Sequence, residues 1–250
     1  MKLFSLHRRP AHCRPRSFAR LAAGLSVVCL SSACLLLPLS SCSSGQQLLY
    51  SVADGDRTCA VYGSNGRPSR IAVSQNGETI WDKKVKVEKS VGALGGSYGF
   101  AVLDLNFDGK NDLKIAVEAS GDQLTERVFL QTENGEYEES DAFEGLYTLG
   151  AYPAEQAVFS FTQSYEVEQA AGSEPESYVS TDTTTAYVWK NGALAPYRRL
   201  SLTYYSSQNV YCLSVSDFNE TIGAFLEPDD SWLTPQEYAA TDFSLLYYFR

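Results

Sequence analysis

The sequence predicts an all-β protein of antiparallel hairpins in a β-propeller-like arrangement, with a β-sandwich as the alternative, and three observations carry this. Short runs rich in β-branched and aromatic residues recur along the chain, each bounded by Gly, Asn, Asp or Ser. Long amphipathic helical periods are missing from the same stretch. Asn-Gly pairs stand at 76–77, 134–135 and 191–192, spaced by 58 and 57 residues. Near-constant spacing of a hairpin signal points to a repeated unit of a few strands, as in propeller blades.

Strands are expected near 57–62 (RTCAVY), 69–75 (SRIAVSQ), 78–87, 98–105, 113–119, 126–132, 157–167, 178–190, 197–205, 209–216 and 243–249. The alternation of Leu113, Ile115 and Val117 with Lys114, Ala116 and Glu118 is that of a half-buried strand. The three spaced Asn-Gly pairs suit two-residue type I′ turns, and Asn65-Gly66 is a further turn out of that register. Residues 169–185, with AAGSEPES and TDTTT, read as a polar, flexible insertion between or within strands. Thr234-Pro235-Gln236-Glu237 places a capping hydroxyl, a first-turn proline and an N3 glutamate in order, so a short helix is expected at 235–240.

The first twenty residues carry Lys2, Arg8, Arg9, Arg14, Arg16 and Arg20 with no acid, and Leu21 to Leu39 is mostly apolar. These are the parts of a secretory signal. The run ends in Leu39-Ser40-Ser41-Cys42, which resembles a bacterial lipobox, whose cysteine is acylated and begins the mature chain. An ordinary signal peptide or a single membrane span is the alternative. The expected organisation is a signal with lipobox over 1–41, a lipidated Cys42 and tether over 42–47, and one all-β domain over 48–250. The expected location is the cell envelope, lipid-anchored to a membrane on its extracytoplasmic side.

Beyond Cys42 there are 14 basic and 30 acidic residues, a net charge of −16. No nucleic-acid partner is expected, because that needs a basic surface to neutralise phosphates. The charge suits either solubility or attraction to a basic partner. Both histidines, His7 and His12, lie in the leader. Catalysis through Ser-His-Asp or Cys-His, and histidine-held metals, are thereby excluded for the mature part. Paired carboxylates remain as a catalytic route; Glu118, Glu126, Glu155 and Glu168 are nominees, but nothing separates them from surface acids. No catalytic residue is assigned and the protein is not expected to be an enzyme. Gly92, Gly95, Gly96 and Gly99 read as a flexible turn, because a strand follows where a phosphate loop needs a helix. With Cys13, Cys29 and Cys34 in the leader, Cys59 and Cys212 are left to pair as a disulfide in an exported protein.

One stretch carries metal-binding chemistry. In AVLDLNFDGKNDLKIAV, Asp104, Asn106, Asp108, Gly109 and Asp112 take loop positions 1, 3, 5, 6 and 9. Calcium takes six to eight oxygens, and this spacing lets one short loop supply several. Asp104, Asn106, Asp108 and Asp112 would offer side-chain oxygens and Lys110 its backbone carbonyl. Position 12 is Ile115 and the flanks read as strands, so the expectation is a strand-loop-strand calcium site and not an EF-hand.

The pattern D-x-N-x-D-G-x-x-D followed by Leu113-Lys114-Ile115 resembles the calcium loop of FG-GAP-type repeat proteins. More narrowly, LDLNFDGKNDLKI with a later aromatic and Asn-Gly hairpin resembles a family of bacterial exported lipoproteins with a β-propeller-like fold. Characterised members of that family are immunity proteins that inhibit a lysozyme-like, peptidoglycan-cleaving effector. The resemblance is close over 101–137 and architectural elsewhere. It implies Asp104, Asn106, Asp108, Lys110 and Asp112 as calcium ligands. It also implies a binding module that inhibits a peptidoglycan hydrolase, for which a basic secreted enzyme would suit the acidic surface. Two alternatives stay open: a surface module holding carbohydrate or another envelope protein through aromatics such as Tyr204-Tyr205 and Tyr247-Tyr248, and a carboxylate-dependent glycosidase.

Overall fold

Turn chemistry sets the topology. The computed structural model describes residues 45–168 and 177–241. The Asn76-Gly77 turn joins β3 (Arg67–Gln75) to β4 (Glu78–Lys84), with φ 52° at Asn76 and 83° at Gly77. Two successive left-handed residues are what a type I′ hairpin requires. With β1 (Gln47–Asp54) and β2 (Arg57–Ser64) these strands form a first antiparallel sheet in the order β1-β2-β3-β4. A second sheet runs β5 (Ala101–Leu103), β6 (Asp112–Ser120), β7 (Gln123–Gln131), β8 (Tyr137–Glu139). The third has β9 (Gly150–Tyr152), β10 (Ala157–Glu168), β11 (Ser177–Lys190), β12 (Ala193–Tyr205) and β13 (Val210–Asn219) in sequence order. Two short strands, β14 (Ala224–Phe225) and β15 (Asp229–Leu233), both pair with β13.

The Asn-Gly periodicity has a structural counterpart. In each successive four-strand meander, β1–β4, β5–β8 and β9–β12, the Asn-Gly pair lies between the third and fourth strands. One turn departs from the type expected. At Asn134-Gly135 only the glycine is left-handed, the Gly135 N–H donates to the Thr132 carbonyl at 3.1 Å, and the Thr132 N–H donates to the Glu136 carbonyl at 2.8 Å. This is a three-residue loop closed by a left-handed glycine, the next commonest hairpin solution.

Burial follows the layering. Cys59 and Val61 of β2, Ile71 and Val73 of β3, and Leu113, Ile115 and Phe129 of the second sheet form one cluster between the first two sheets. Leu105, Val128, Phe143, Leu149 and Val158 form another between the second and third sheets. The middle sheet is therefore covered on both faces, which is why the neighbours Val128 and Phe129 are both buried although their side chains point opposite ways. Among the described residues no buried cluster joins the first sheet to the third.

The structure does not form the expected disulfide. Cys59 and Cys212 are both buried and both free. Cys59 lies in the first sheet and Cys212 on β13 of the third. Burial pushes the Cys59 thiol up to about 12. Two segment readings also change. Residue 47 already belongs to β1 and not to a tether. The threonine-rich part of the expected insertion belongs to strand β11, as the strand expected over 178–190 has it, and is paired throughout with β10 and β12; residues 169–176 lie outside the described residues. So do the leader, Cys42 and the strand expected at 243–249. The helix at Pro235–Ala240 (α2, after the single turn α1 at Lys89–Gly92) matches its expectation, with the Thr234 hydroxyl and the Glu237 carboxylate capping each other's backbone N–H.

Candidate functional site

The 104–112 loop connects β5 to β6 and folds around its own polar side chains. Asp104 accepts from the N–H of Asp108 at 3.2 Å and of Gly109 at 2.9 Å, and the Asn106 Oδ1 accepts from the same Asp108 N–H at 3.1 Å. The Asp108 Oδ1 accepts from the Lys110 N–H at 2.9 Å. Short acidic and amide side chains form such turns because they reach backbone two to five residues on. Gly109 takes φ 85°, as its position-6 role requires, and Phe107 adopts φ 59°, an uncommon conformation for an aromatic residue.

Three anchors tie this loop to all three sheets. The Asn111 Nδ2 donates to the Asp54 Oδ1 at 2.7 Å, reaching the end of β1. Asp112 is fully buried, its Oδ2 accepting from the Leu105 N–H and its Oδ1 from the Gln131 N–H, each at 2.8 Å, which closes the loop and holds the end of β7. From β11, the Trp189 Nε1 donates to the Leu105 carbonyl at 2.8 Å.

Burial pushes the Asp112 carboxyl up to about 6, two backbone N–H bonds work against that, and the nearby Asp104 and Asp108 add to it. The Lys110 ammonium stands 3.6 Å from the Asp108 Oδ2 at the surface. The donor chemistry of Asp104, Asn106, Asp108, the Lys110 carbonyl and Asp112 is all hard oxygen and fits calcium. Their present arrangement is self-satisfied: among the described residues no three or more His, Cys, Asp or Glu side chains are gathered as a metal-holding group.

Two hollows lie nearby. One of about 220 Å³ borders the loop and is lined by Asn106, Phe107, Glu155, Gln156, Val188 and Trp189. The other, about 540 Å³, opens against β6 and β7, and its walls carry Glu118, Glu126, Glu139, Asp141 and Glu144 with Arg127. Glu118 and Glu126, nominated as catalytic acids from the sequence, thus share one cavity, whereas Glu155 lines the other. Glu126 is committed elsewhere. Its Oε1 accepts from the Lys114 Nζ at 2.7 Å and its Oε2 from the Leu149 N–H, while the Lys114 Nζ also donates to the Leu149 carbonyl. Arg127 in turn pairs with Glu139. Sequence reasoning missed the Lys114–Glu126 pair because a lysine and a glutamate on adjacent strands look like surface residues until a third segment covers them.

No family model matches this chain, and no curated protein matches it. Among solved structures, a Xanthomonas protein described as related to a type IV secretion system is similar at 13% identity, over 73% of this chain and 92% of that chain, with a TM-score of 0.42. Among the described residues no helix is long and apolar enough to cross a membrane.

Proposed function

We propose that the protein is a lipid-anchored, extracytoplasmic binding module whose 104–112 loop takes calcium, and that its partner is a secreted peptidoglycan hydrolase, which it inhibits. The observation that carries the calcium reading is the loop's position: one short oxygen-rich segment holds Asp54, Gln131 and Trp189, one from each sheet. An ion held by Asp104, Asn106, Asp108, Asp112 and the Lys110 carbonyl would offset the mutual repulsion of three carboxylates and brace the joint between the sheets. The leader and lipobox support the location, and the acidic surface suits a basic enzyme.

Melting the purified protein in calcium and in chelator tests the first part. A site filled at about 100 times its Kd adds about 2.7 kcal/mol, or roughly 5–10 °C in a chain of this size. The shift is expected to vanish in Asp108→Ala. Equal melting curves at millimolar calcium would remove the ion from the proposal. For the partner, inhibition of muramidases of high isoelectric point, weakening as salt rises, is the expected result. A panel of cell-wall hydrolases neither bound nor slowed would end the inhibitor reading.

A further inference from the structure

The third sheet carries two unlike faces. On one, Phe159, Leu200, Leu202 and Leu213 form a buried apolar cluster. On the other, cross-strand register places hydroxyls in transverse rows. One row reads Ser164, Thr181, Thr203, Cys212, Trp232, and the next reads Thr162, Thr183, Ser201, Ser214, Asp230. Thr181 and Thr203 hydrogen-bond across strands at 3.0 Å, as do Thr183 and Ser201. Each hydroxyl is a donor and a double acceptor, so a pair joined by one bond still presents donor and acceptor positions outward. Strand spacing repeats these positions about every 4.8 Å across the sheet and about every 6.8 Å along it.

An outward sheet face is ordinarily polar, and threonine suits strands. What needs explaining here is the shortage of charge. Exposed positions on β4 carry Glu78, Asp82, Lys83 and Lys84, and β8 exposes Glu138 and Glu139. On the two hydroxyl rows the one charged side chain is Asp230, which accepts from the Ser214 hydroxyl at 2.6 Å. Arg199, one step inward, lies over the Phe225 ring at 3.8 Å. At the rim Trp232 is 57% exposed, and its ring lies 5.5 Å from that of Tyr205, which extends the same face in a row that begins with the exposed Glu166 on β10.

We propose that this hydroxyl face, with Trp232 and Tyr205 at its rim, binds an uncharged glycan chain. A flat array of paired hydroxyls matches the alternating donors and acceptors of a sugar chain, and an indole offers an apolar plane to the C–H face of a pyranose ring. A strongly acidic protein repels anionic polymers, and two carboxylates on this face, Asp230 and Glu166, lie at its margins and leave the rows of paired hydroxyls between them uncharged. Neither the 104–112 loop nor the acidic cavity contributes to this surface, so it stands or falls apart from the hydrolase reading.

The test is titration of the purified protein with soluble β-linked N-acetylglucosamine and glucose oligomers, followed by tryptophan fluorescence and calorimetry, beside a broad glycan array. Saturable binding of at least one uncharged glycan is expected, with a change in Trp232 emission. Trp232→Ala is expected to weaken it by about tenfold. The triple variant Thr181→Val, Thr183→Val, Thr203→Val keeps shape and strand propensity and is expected to weaken it at unchanged melting temperature. Absence of binding to any uncharged glycan, binding restricted to charged ones, or affinity untouched by both variants would overturn the proposal.

Discussion

Replacing Lys114 by methionine is expected to destabilise the protein by about 3–5 kcal/mol. Methionine keeps most of the apolar stem and removes the ammonium. The side chain of Lys114 is 11% exposed and that of Glu126 is 0% exposed, so both charges are largely withdrawn from bulk water. The variant strands the Glu126 carboxylate with the Leu149 N–H as its remaining partner in this group and deprives the Leu149 carbonyl of its donor. In a chain of this length that loss corresponds to a fall of roughly 6–20 °C in melting temperature. Urea denaturation, read as a change of midpoint at constant slope, is the assay. Glu126→Leu alone strands the ammonium and is expected to cost a similar amount, while the double variant Lys114→Met, Glu126→Leu removes both charges together. It should therefore cost less than the sum of the singles by about 1–3 kcal/mol. A loss under about 1 kcal/mol for Lys114→Met, or strict additivity in the cycle, would show that the pair is wet and does not latch the third sheet to the second.

Two further outcomes follow from close approach and burial. Gly99 takes φ 68°, and a Cβ built on it would meet the Ala116 Cβ at 2.6 Å, so Gly99→Ala is expected to lose about 1–3 kcal/mol by chemical denaturation, whereas Gly121→Ala, strained but open to solvent, should lose less. Cys59 and Cys212 are expected to resist a thiol-specific reagent in the native state and to react in denaturant without prior reduction, together with any other free thiol. Release of these two only after reductant would restore the disulfide.

The parts of the fold legible in the sequence were those encoded within a few neighbouring residues. Asn76-Gly77 and Asn191-Gly192 carry their turn type in two side-chain preferences, and Thr234 to Glu237 specify a capping box without reference to anything distant. The same reasoning erred where meaning depends on what lies opposite. TDTTT reads both ways in the sequence, as part of a polar insertion by composition and as part of the strand expected over 178–190; the strand reading holds, with Asp182 and Thr184 buried toward one face while Thr181 and Thr183 meet β12 on the other. Short edge strands such as β14 and β15 are too brief to show a period of their own, since their register is imposed by β13. The cysteine pairing shows the complementary limit: inferred by elimination, it contains no geometry, and the structure places Cys59 and Cys212 on different sheets with both thiols free.

The 104–112 loop shows both limits in one segment. Its turn-forming residues sit where the spacing placed them, and Asp104, Asn106 and Asp108 each accept a backbone N–H within the loop. Asp112 has a second duty that no spacing rule encodes, because the Gln131 N–H it holds belongs to a strand nineteen residues away. This distinguishes the two substitutions within a single ion site. Asp108→Ala removes an exposed oxygen and should abolish a calcium effect at little cost to the calcium-free fold. Asp112→Ala also leaves the N–H groups of Leu105 and Gln131 unpaired in the interior, at about 1–3 kcal/mol each. A calcium-free Asp112→Ala protein as stable as its parent would mean that this carboxylate serves the ion alone, and that the junction of the three sheets is held by other contacts.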